Sequence, residues 1–286
     1  MLNVLIIGKG YVGNEINRLL NRCNIHFKSR SELDYHDQGV LRRYIGNNDI
    51  KYVINCSGFT GRPNVDECED KKEECSLLNV FVPLKIAESC KVLDVNYIHI
   101  SSGCIYGGYE KMYTEEDIPD FGFYSSVSSF YSKTKHLYEI LTTTGLTLRI
   151  RMPFTPYLSS RNYLSKLIKY GTLLDMVNSK TYLPDVCKFV QHIIDNEIYV
   201  NNIGPLNFVN PKPQSTKCVA KKLDSFNLMN LKEKVFVDSV ADINTKAGRS
   251  NCVLSIDKLV KSFPDFYMQT EESALNEALT TISQSQ

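Results

Sequence analysis

The chain has 286 residues, of which 43% are hydrophobic and 23% are charged, and its formal net charge is +1. These values are ordinary for a soluble globular protein of one large or two modest domains, so they exclude collagen, coiled coil and disorder. A nearly neutral chain without long runs of one charge is also not expected to bind nucleic acid.

Nine cysteines are scattered along the chain without a Cys-x-x-Cys pair. This pattern favours neither a disulfide framework nor a zinc site, so we expect reduced thiols, no metal and a cytoplasmic protein. The apolar start, residues 1–7, lacks a basic leader region, and no apolar run approaches the roughly 20 residues of a membrane span. We therefore expect no membrane association.

The first half alternates short β-branched runs with stretches of helical periodicity, which is typical of a parallel sheet covered by helices. Strands are predicted over residues 2–7, 25–29, 52–56, 97–100 and 147–151. Helices are predicted after the first glycine cluster and over residues 41–45, 77–91 and 131–143. Pro83 should kink the third helix or delay its start, because proline lacks a backbone donor.

Between the first strand and an amphipathic helix, Gly8, Gly10 and Gly13 form a Gly-x-Gly-x-x-Gly motif. Such glycines permit a tight turn that brings backbone N–H groups, here including those of Tyr11 and Val12, against a pyrophosphate at the helix N-terminus. The flanking strand and helix make a dinucleotide site the preferred interpretation.

The end of the second predicted strand indicates which dinucleotide binds. An acidic residue there would bind the ribose 2′-hydroxyl of NAD, whereas cations accommodate the 2′-phosphate of NADP. The chain has Phe27-Lys28-Ser29-Arg30 and no acid before Glu32. Ser29 and Arg30 are therefore predicted to contact the cofactor, and NADP(H) is favoured.

Six prolines between residues 153 and 213 break the second half into shorter elements. We predict an α/β fold with a Rossmann-type parallel sheet, helices on both faces and a smaller C-terminal substrate lobe. Residues 1–152 should form the NADP(H)-binding domain, with the catalytic residues, and residues 153–286 should mainly bind substrate.

A serine-rich segment, Ser101-Ser102-Gly-Cys104, follows the fourth predicted strand, and Tyr131 and Lys135 open the next helix. The last two are four residues apart and so share a helix face. A cationic amine beside a phenol favours the phenolate and should lower the tyrosine pKa towards the range useful for proton transfer.

Together with Asn55-Cys56-Ser57-Gly58, these residues resemble the extended short-chain dehydrogenase/reductase superfamily, which includes 4-dehydrorhamnose reductases and GDP-fucose synthases. A closer similarity is to the plant 3,5-epimerase/4-reductases that complete UDP-L-rhamnose synthesis, and it extends to about Leu259. It is carried by residues 60–66, 68–69, 103–105, 130–135, 149–153 and 161–162. The glycine loop departs from the superfamily, being one residue shorter than Gly-x-x-Gly-x-x-Gly.

The resemblance implies that Tyr131 protonates the C4 oxygen after hydride transfer and that Lys135 binds the nicotinamide ribose. It implies that Ser102 donates a hydrogen bond to the carbonyl oxygen, and that Asn79 holds a water or supports the lysine. Epimerisation at C3 and C5, whose protons the C4 ketone acidifies, needs a further acid and base. The resemblance points to Cys104 and Lys166 for these roles.

The cofactor and substrate contacts that the resemblance implies lie in loops. Asn55, Cys56, Ser57 and Gly58 would join the glycine loop at the cofactor. The expected substrate contacts, with Arg249 at the diphosphate, are Thr60, Arg62, Asn64, Arg161, Asn162, Arg249 and Asn251.

These expectations define an NADPH-dependent 3,5-epimerase/4-reductase that makes a nucleotide-L-rhamnose, with UDP as the favoured nucleotide and dTDP or GDP as alternatives. One further interpretation is a 4-reductase alone, against which Cys104 argues. The other is a non-catalytic NADP-binding regulatory subunit, against which Tyr131 and Lys135 argue. A separate 4,6-dehydratase should supply the keto sugar, and a homodimer is expected from the resemblance.

Overall fold

A six-stranded parallel sheet forms the centre of the computed structural model, which describes residues 1–243 and 245–285. The strand order is β2-β1-β3-β4-β5-β7. The strands are β1 (Asn3–Ile7), β2 (Asn24–Lys28), β3 (Ile50–Asn55), β4 (Asn96–Ser102), β5 (Leu146–Ile150) and β7 (Gly204–Asn207). Two short strands, β6 (Thr172–Leu174) and β8 (Val235–Val237), pair separately, also in parallel.

Helices flank both faces of the main sheet and form most of the second half. Those of the first half are α1 (Tyr11–Leu19), α2 (Gln38–Asn47), α3 (Glu67–Asp70), α4 (Lys72–Ser76), α5 (Val82–Val92) and α6 (Phe130–Leu141). Those of the second half are α7 (Tyr163–Lys169), α8 (Leu183–Asp195), α9 (Thr216–Ser225), α10 (Asp257–Ser262) and α11 (Glu271–Gln284). Single 3₁₀ turns span Leu231–Glu233 and Val240–Asp242.

The two faces of the sheet belong to separate hydrophobic clusters. Ile6 of β1 packs in one cluster with Ile16 of α1 and Phe189 of α8. The adjacent Leu5 packs in the other cluster with Ile86 of α5. A parallel strand buried on both faces needs a continuous apolar sequence, which explains the run over residues 4–7. The predicted fold class is confirmed.

The helix expected over residues 77–91 begins earlier than the sequence indicated. Helical conformation runs from Lys72 through a π-helical turn, Leu77–Phe81, into α5. Pro83 lies in the first turn of α5, where its missing donor costs least. The late start predicted at Pro83 is therefore wrong, because the wider π turn carries a continuous helix past the proline.

The second half contributes to both parts of the molecule. Its strand β7 and helix α8 complete the main sheet and cover one face of it. Helices α7, α9 and α11 enclose a core of their own. A fully buried ion pair between Lys180 and Glu271, 2.9 Å long, attaches α11 to the segment before α8. The division at residue 152 remains a prediction.

Because all six strands are parallel, their carboxyl ends meet at one edge of the sheet. The glycine loop after β1, the turn at residues 55–58 and the segment at residues 102–104 therefore lie side by side. Within the described residues, no helix is both long and apolar enough to cross a bilayer.

Candidate active site

The glycine loop is shaped by very close backbone contacts. A Cβ on Gly8, whose φ is +97°, would lie 2.7 Å from the Ser57 nitrogen, and one on Gly13 would lie 2.0 Å from the Gly8 oxygen. A Cβ on Gly10 would meet nothing within 4 Å. Gly8 and Gly13 are thus required for packing, whereas Gly10 leaves a face open.

That open face fits a dinucleotide pyrophosphate. Gly10 is the N-cap of α1 and provides no side-chain cap, so the first N–H groups of the helix remain available to an anion. Tyr11 extends towards the segment after β5, where its hydroxyl lies 2.9 Å from the Thr155 hydroxyl. Val12 packs against the hydrophobic core.

The carboxylate of Glu32 lies at the end of β2, against Ser29, although Glu32 comes three residues later in the sequence. The Glu32 carboxylate accepts hydrogen bonds from the Ser29 nitrogen and hydroxyl at 2.8 and 2.6 Å. It also pairs with Lys9 at 2.7 Å. The expectation of a strand end without an acid is therefore wrong, because the chain turns back after Ser29. Arg30 is exposed.

The turn after β3 is held by buried amides. The Asn55 side-chain oxygen accepts hydrogen bonds from the Ser57 nitrogen at 2.9 Å and from the Ser57 hydroxyl at 2.6 Å. Asn55 therefore fixes the conformation of the turn. Cys56 packs against Gly13. A Cβ on Gly58 would lie 3.5 Å from the Lys135 ammonium nitrogen, so a glycine here lets that amine approach the backbone.

The predicted Ser102, Cys104 and Tyr131 come together where β4 ends and α6 begins. The Ser102 hydroxyl oxygen accepts a hydrogen bond from the Cys104 nitrogen at 3.1 Å, which leaves the hydroxyl proton free to donate. Burial raises the pKa of Tyr131 above its usual value, the nearby Cys104 adds to the increase, and the nearby Ser102 opposes it. The predicted lowering of this pKa is wrong, and the phenol is protonated at neutral pH.

Lys135 is a buried amine, 3% exposed, whose nitrogen lies 5.8 Å from the centre of the Tyr131 ring. Within the described part of the chain it forms no ion pair or hydrogen bond. Burial lowers its pKa to about 8. Lys135 thus has hydrogen-bonding capacity that protein groups do not use.

Asn79 lies in the π turn, and its side chain forms two hydrogen bonds with the Phe59 peptide. The amide donates to the Phe59 oxygen, and the Phe59 nitrogen donates to the Asn79 oxygen, both at 2.8 Å. The amide also lies 3.2 Å from the Thr134 hydroxyl. Asn79 therefore positions the loop after β3, and within the described residues it forms no hydrogen bond with the Lys135 amine.

Three cations from the second half lie close together beside Cys104. Burial lowers the pKa of Lys166, and nearby Arg161 and Arg249 lower it further, while Cys104 opposes this. Arg161 donates to the Thr60 hydroxyl at 3.2 Å and the Gly61 oxygen at 2.8 Å, which joins the two walls of the cleft.

Asp66 is a residue of this region that the sequence did not single out. Its carboxylate accepts hydrogen bonds from the Arg249 guanidinium at 2.9 Å and from the Ala247 nitrogen at 2.8 Å. Asn64 fixes Asp66 in turn, accepting from its nitrogen at 2.8 Å. Asp66 ends the segment of residues 60–66 that carries part of the family resemblance, and this was the available signal. Arg62 is exposed.

Two predicted substrate contacts have protein partners instead. Asn162 is fully buried, caps α7 through the Leu164 nitrogen at 2.9 Å and donates to the Tyr157 oxygen at 2.6 Å. Asn251 is buried and accepts from the Asn178 amide at 2.9 Å. Neither side chain is brought to the cleft as expected, because both satisfy buried backbone or amide groups.

Arg151 is a second residue that the sequence did not assign. Its buried guanidinium donates to the Gly103 oxygen at 3.0 Å, the Ser250 hydroxyl at 2.8 Å and the Asn178 oxygen at 2.7 Å. Within the described residues it has no carboxylate partner. It therefore connects the turn between Ser102 and Cys104 to the segment that carries Arg249. Over the same residues, no group of three or more acidic, histidine or cysteine side chains could hold a metal.

The sheet order, the glycine loop and the Ser102, Tyr131 and Lys135 arrangement define a short-chain dehydrogenase/reductase-like fold. Residues 2–283 match the model of the RmlD substrate binding domain. The chain belongs to this family.

Two curated relatives from Arabidopsis thaliana illustrate the similarity. A bifunctional dTDP-4-dehydrorhamnose 3,5-epimerase/dTDP-4-dehydrorhamnose reductase is 31% identical, over 96% of this chain and 91% of the relative. A trifunctional UDP-glucose 4,6-dehydratase/UDP-4-keto-6-deoxy-D-glucose 3,5-epimerase/UDP-4-keto-L-rhamnose-reductase is 32% identical over 96% of this chain. The chain spans only 41% of that longer protein.

Solved structures are similar over nearly the whole chain. The L780 UDP-rhamnose synthase from Acanthamoeba polyphaga mimivirus superposes with a TM-score of 0.85 at 25% identity, covering 98% of this chain and 99% of that one. A dTDP-4-dehydrorhamnose reductase from Bacillus anthracis, in complex with NADP, has a TM-score of 0.81 at 18% identity over 98% of this chain and 99% of its own. The latter similarity concerns the fold alone.

The glycine loop generates a paired prediction. Gly10→Ala should fold like the unmodified protein but weaken NADPH binding at least roughly tenfold, because its methyl group would occupy the open face. Gly13→Ala should lower the free energy of unfolding by roughly 1–3 kcal/mol, because its Cβ has no space. Thermal unfolding and fluorescence titration with NADPH measure the two effects. Equal destabilisation by both changes would contradict the assignment.

A second prediction concerns the buried amine. The folded pKa of Lys135, about 8, lies below the ordinary 10.5. The unfolded chain therefore binds more protons between these values, and the lysine costs stability below pH 8. Lys135→Met should raise the free energy of unfolding by up to about 3 kcal/mol at pH 7.

Thermal unfolding of Lys135→Met and the unmodified protein at pH 7 and pH 10 measures this effect. The difference in Tm should be several degrees at pH 7 and should shrink at pH 10. Lys133→Met, on the same helix but partly exposed, serves as the control and should show little difference. A lower Tm for Lys135→Met at pH 7 would exclude the proposed cost.

Proposed function

We propose that this protein is an NADPH-dependent reductase of a nucleotide-4-keto-6-deoxy sugar that also performs 3,5-epimerisation. The favoured reaction converts UDP-4-keto-6-deoxy-D-glucose to UDP-L-rhamnose. The observation that carries the proposal is the placement of Ser102, Tyr131 and Lys135 beside a glycine loop with an open helix N-terminus. The choice of substrate class is supported by the activities of the relatives, to which this chain is similar over nearly its full length.

The cofactor would be held by two features of the first half. The N-terminus of α1 would bind the pyrophosphate beside Gly10, and the unpaired Lys135 ammonium would bind the nicotinamide ribose beside Gly58. When bound, NADPH supplies the hydride for C4 of the sugar.

Reduction needs a proton at the C4 oxygen as the hydride arrives. Because burial keeps the Tyr131 phenol protonated, Tyr131 can donate that proton without a preceding ionisation. The free hydroxyl proton of Ser102 would form a hydrogen bond to the same oxygen, stabilising the negative charge that develops there.

Epimerisation uses the same carbonyl site. The C4 ketone acidifies the protons on C3 and C5, and Ser102 and Tyr131 would stabilise the enolate formed when either proton leaves. Inversion requires one group to remove a proton from one face and another to return a proton to the opposite face. Cys104 and Lys166 are proposed for these roles, because they lie near each other and burial holds the pKa of Lys166 below its ordinary value.

The substrate diphosphate is proposed to bind at Arg249, which Asp66 orients, with Arg161 nearby. The substrate must be made by a 4,6-dehydratase. The longer plant relative is described as having this activity together with the epimerase and the reductase. We propose that a separate protein supplies it here, in the cytoplasm. The homodimer remains a prediction.

The reductase is tested with Tyr131→Phe, NADPH and UDP-4-keto-6-deoxy-D-glucose. Loss of the phenolic proton should slow NADPH oxidation by roughly 10²- to 10⁴-fold, as is typical for general acids. NADPH affinity should stay within about twofold, since the ring is preserved. Tyr124→Phe, on an exposed tyrosine, is the control. Turnover at the unmodified rate would reject Tyr131 as the acid.

The epimerase is tested by hydrogen exchange in heavy water. The unmodified protein should introduce deuterium at both C3 and C5, even without NADPH, because enolate formation precedes reduction. Cys104→Ser should suppress exchange at one or both carbons, while a substrate supplied already epimerised is still reduced. Lys166→Met should show a related defect. Exchange at unmodified rates in Cys104→Ser would assign the thiol to packing, and no exchange in the unmodified protein would leave a 4-reductase.

A further inference from the structure

Two tyrosines join helix α1 to the segment of residues 155–162, which follows β5. The hydroxyl of Tyr11, the first residue of α1, lies 2.9 Å from the Thr155 hydroxyl. Tyr157 extends in the opposite direction, and its hydroxyl donates to the Glu15 carboxylate at 2.8 Å. Because residues 11 and 15 are four apart on one helix, both contacts lie on the same face of α1.

The two acceptors of these contacts are fully buried and have further partners. The Glu15 carboxylate also accepts from the Arg18 guanidinium, at 2.7 and 3.0 Å. The Thr155 hydroxyl donates to the Tyr157 backbone oxygen at 3.0 Å, so it accepts from Tyr11. Buried polar networks whose members are satisfied are rigid. The two contacts therefore fix both the position and the direction of α1 relative to the 155–162 segment.

The 155–162 segment leads to the substrate side of the cleft. Its last two residues are Arg161, beside the proposed diphosphate site, and Asn162, which caps α7. The Asn162 amide donates to the Thr155 backbone oxygen at 3.1 Å, and α7 carries Lys166. Because the N-terminus of α1 is the proposed pyrophosphate site, a continuous set of hydrogen bonds connects the cofactor side of the cleft to the substrate side.

We propose that Tyr11 and Tyr157 are positioning residues for reduction, which hold the 155–162 segment where C4 of the sugar meets the nicotinamide. Their hydroxyls act through α1 and this segment and touch no reacting atom. Hydride transfer requires the two carbons to be close and aligned, and a misplacement of about 1 Å can slow a reaction about a hundredfold. This inference rests on the cofactor and substrate sites of the proposed function.

Proton exchange at C3 and C5 has a different requirement. In the proposed function it uses Cys104 and Lys166 and needs no cofactor. The turn that carries Cys104 is joined to the second half by Arg151, which donates to the Gly103 oxygen and to the Ser250 hydroxyl. Helix α1 takes no part in those hydrogen bonds. Loosening α1 from the 155–162 segment should therefore slow reduction more than exchange.

The test uses Tyr11→Phe, Tyr157→Phe and the double variant in the full chain. Each change removes one hydroxyl and keeps the ring. Tyr52→Phe is the matched control, because the Tyr52 hydroxyl also donates to the second half, to the Ile198 oxygen at 3.1 Å, and not to the 155–162 segment. Thr155→Val removes the hydroxyl that accepts from Tyr11, whereas Thr155→Ser keeps it.

Four quantities are measured with a substrate that is supplied already epimerised, or with the keto sugar for exchange. They are the kcat of NADPH oxidation, its isotope effect with deuterium at the transferred position of NADPH, the NADPH affinity, and deuterium incorporation at C3 and C5 without NADPH. Thermal unfolding of every variant shows how far stability has changed.

Each single tyrosine variant should lower the kcat of reduction about tenfold, and the double variant up to about a hundredfold, because the two carbons are less well aligned. The isotope effect should rise as hydride transfer becomes rate-limiting. NADPH affinity and the exchange rates should stay within about threefold. Tyr52→Phe should change none of these quantities.

The Thr155 variants separate the hydrogen bond from packing. Thr155→Val should lower kcat at least as much as Tyr11→Phe, and Thr155→Ser should restore most of the rate. Adding Tyr11→Phe to Thr155→Val should have little further effect, because the partner of the tyrosine hydroxyl is already absent.

A second readout does not depend on turnover. NADPH binding to the unmodified protein should slow backbone amide exchange across residues 155–162, because an ordered α1 holds the segment in place. The double variant should lose this protection although it still binds NADPH. Mass spectrometry of peptides from this region measures the effect.

Three results separate the possible failures. If the double variant reduces the sugar at the unmodified rate, or if reduction and exchange fall by the same factor together with Tm, the tyrosines only stabilise the fold and the inference is wrong. An unchanged isotope effect with unchanged amide protection also overturns it, whether or not the unmodified protein epimerises. The proposed function stands in both cases. If the unmodified protein neither binds NADPH nor reduces the sugar, the proposed function fails and the inference with it.

Discussion

The close approach of backbone segments at the carboxyl edge of the sheet is the constraint on which the rest of the structure depends. A Cβ on Gly13 would lie 2.0 Å from the Gly8 oxygen, so there is no space for it. A Cβ on Gly8 would likewise collide with the Ser57 backbone. Helix α1 can therefore begin directly above the strand ends. A larger residue at either glycine would move the helix N-terminus away from the segments that carry Ser102 and Lys135.

At this edge of the sheet, a buried charge without a partner lowers the stability of the fold. Lys135 is a buried cation without a carboxylate partner in the described residues, and burial lowers its pKa to about 8. Where charge serves structure instead, it is matched: Lys180 meets Glu271 at 2.9 Å, and Arg149 meets Glu139 at 2.6 Å. A buried charge without its partner is costly, so its persistence at one edge indicates a site that an anionic or hydroxyl-bearing ligand completes.

The second half holds this edge together through arginines that reach across the cleft. Arg161 binds the loop after β3, and Arg249 binds Asp66 in the same loop. From the first half, Arg151 directly after β5 joins the turn after β4 to Ser250 of the second half. The three contacts join the walls that a nucleotide sugar would lie between. Arg161 and Arg249 therefore both join these walls and supply positive charge beside the proposed substrate site.

The sequence by itself determined the parallel sheet, the glycine loop and the shared helix face of Tyr131 and Lys135, because apolar periodicity, turn glycines and a four-residue spacing are local properties. Only the tertiary structure decided which partners those residues meet. It brought Glu32 back to the end of β2, paired Arg249 with Asp66 across 183 positions, and committed Asn162 to buried backbone groups. It also reversed the expected direction of the Tyr131 pKa, because desolvation depends on all the segments that pack around a side chain and not on the lysine one turn away.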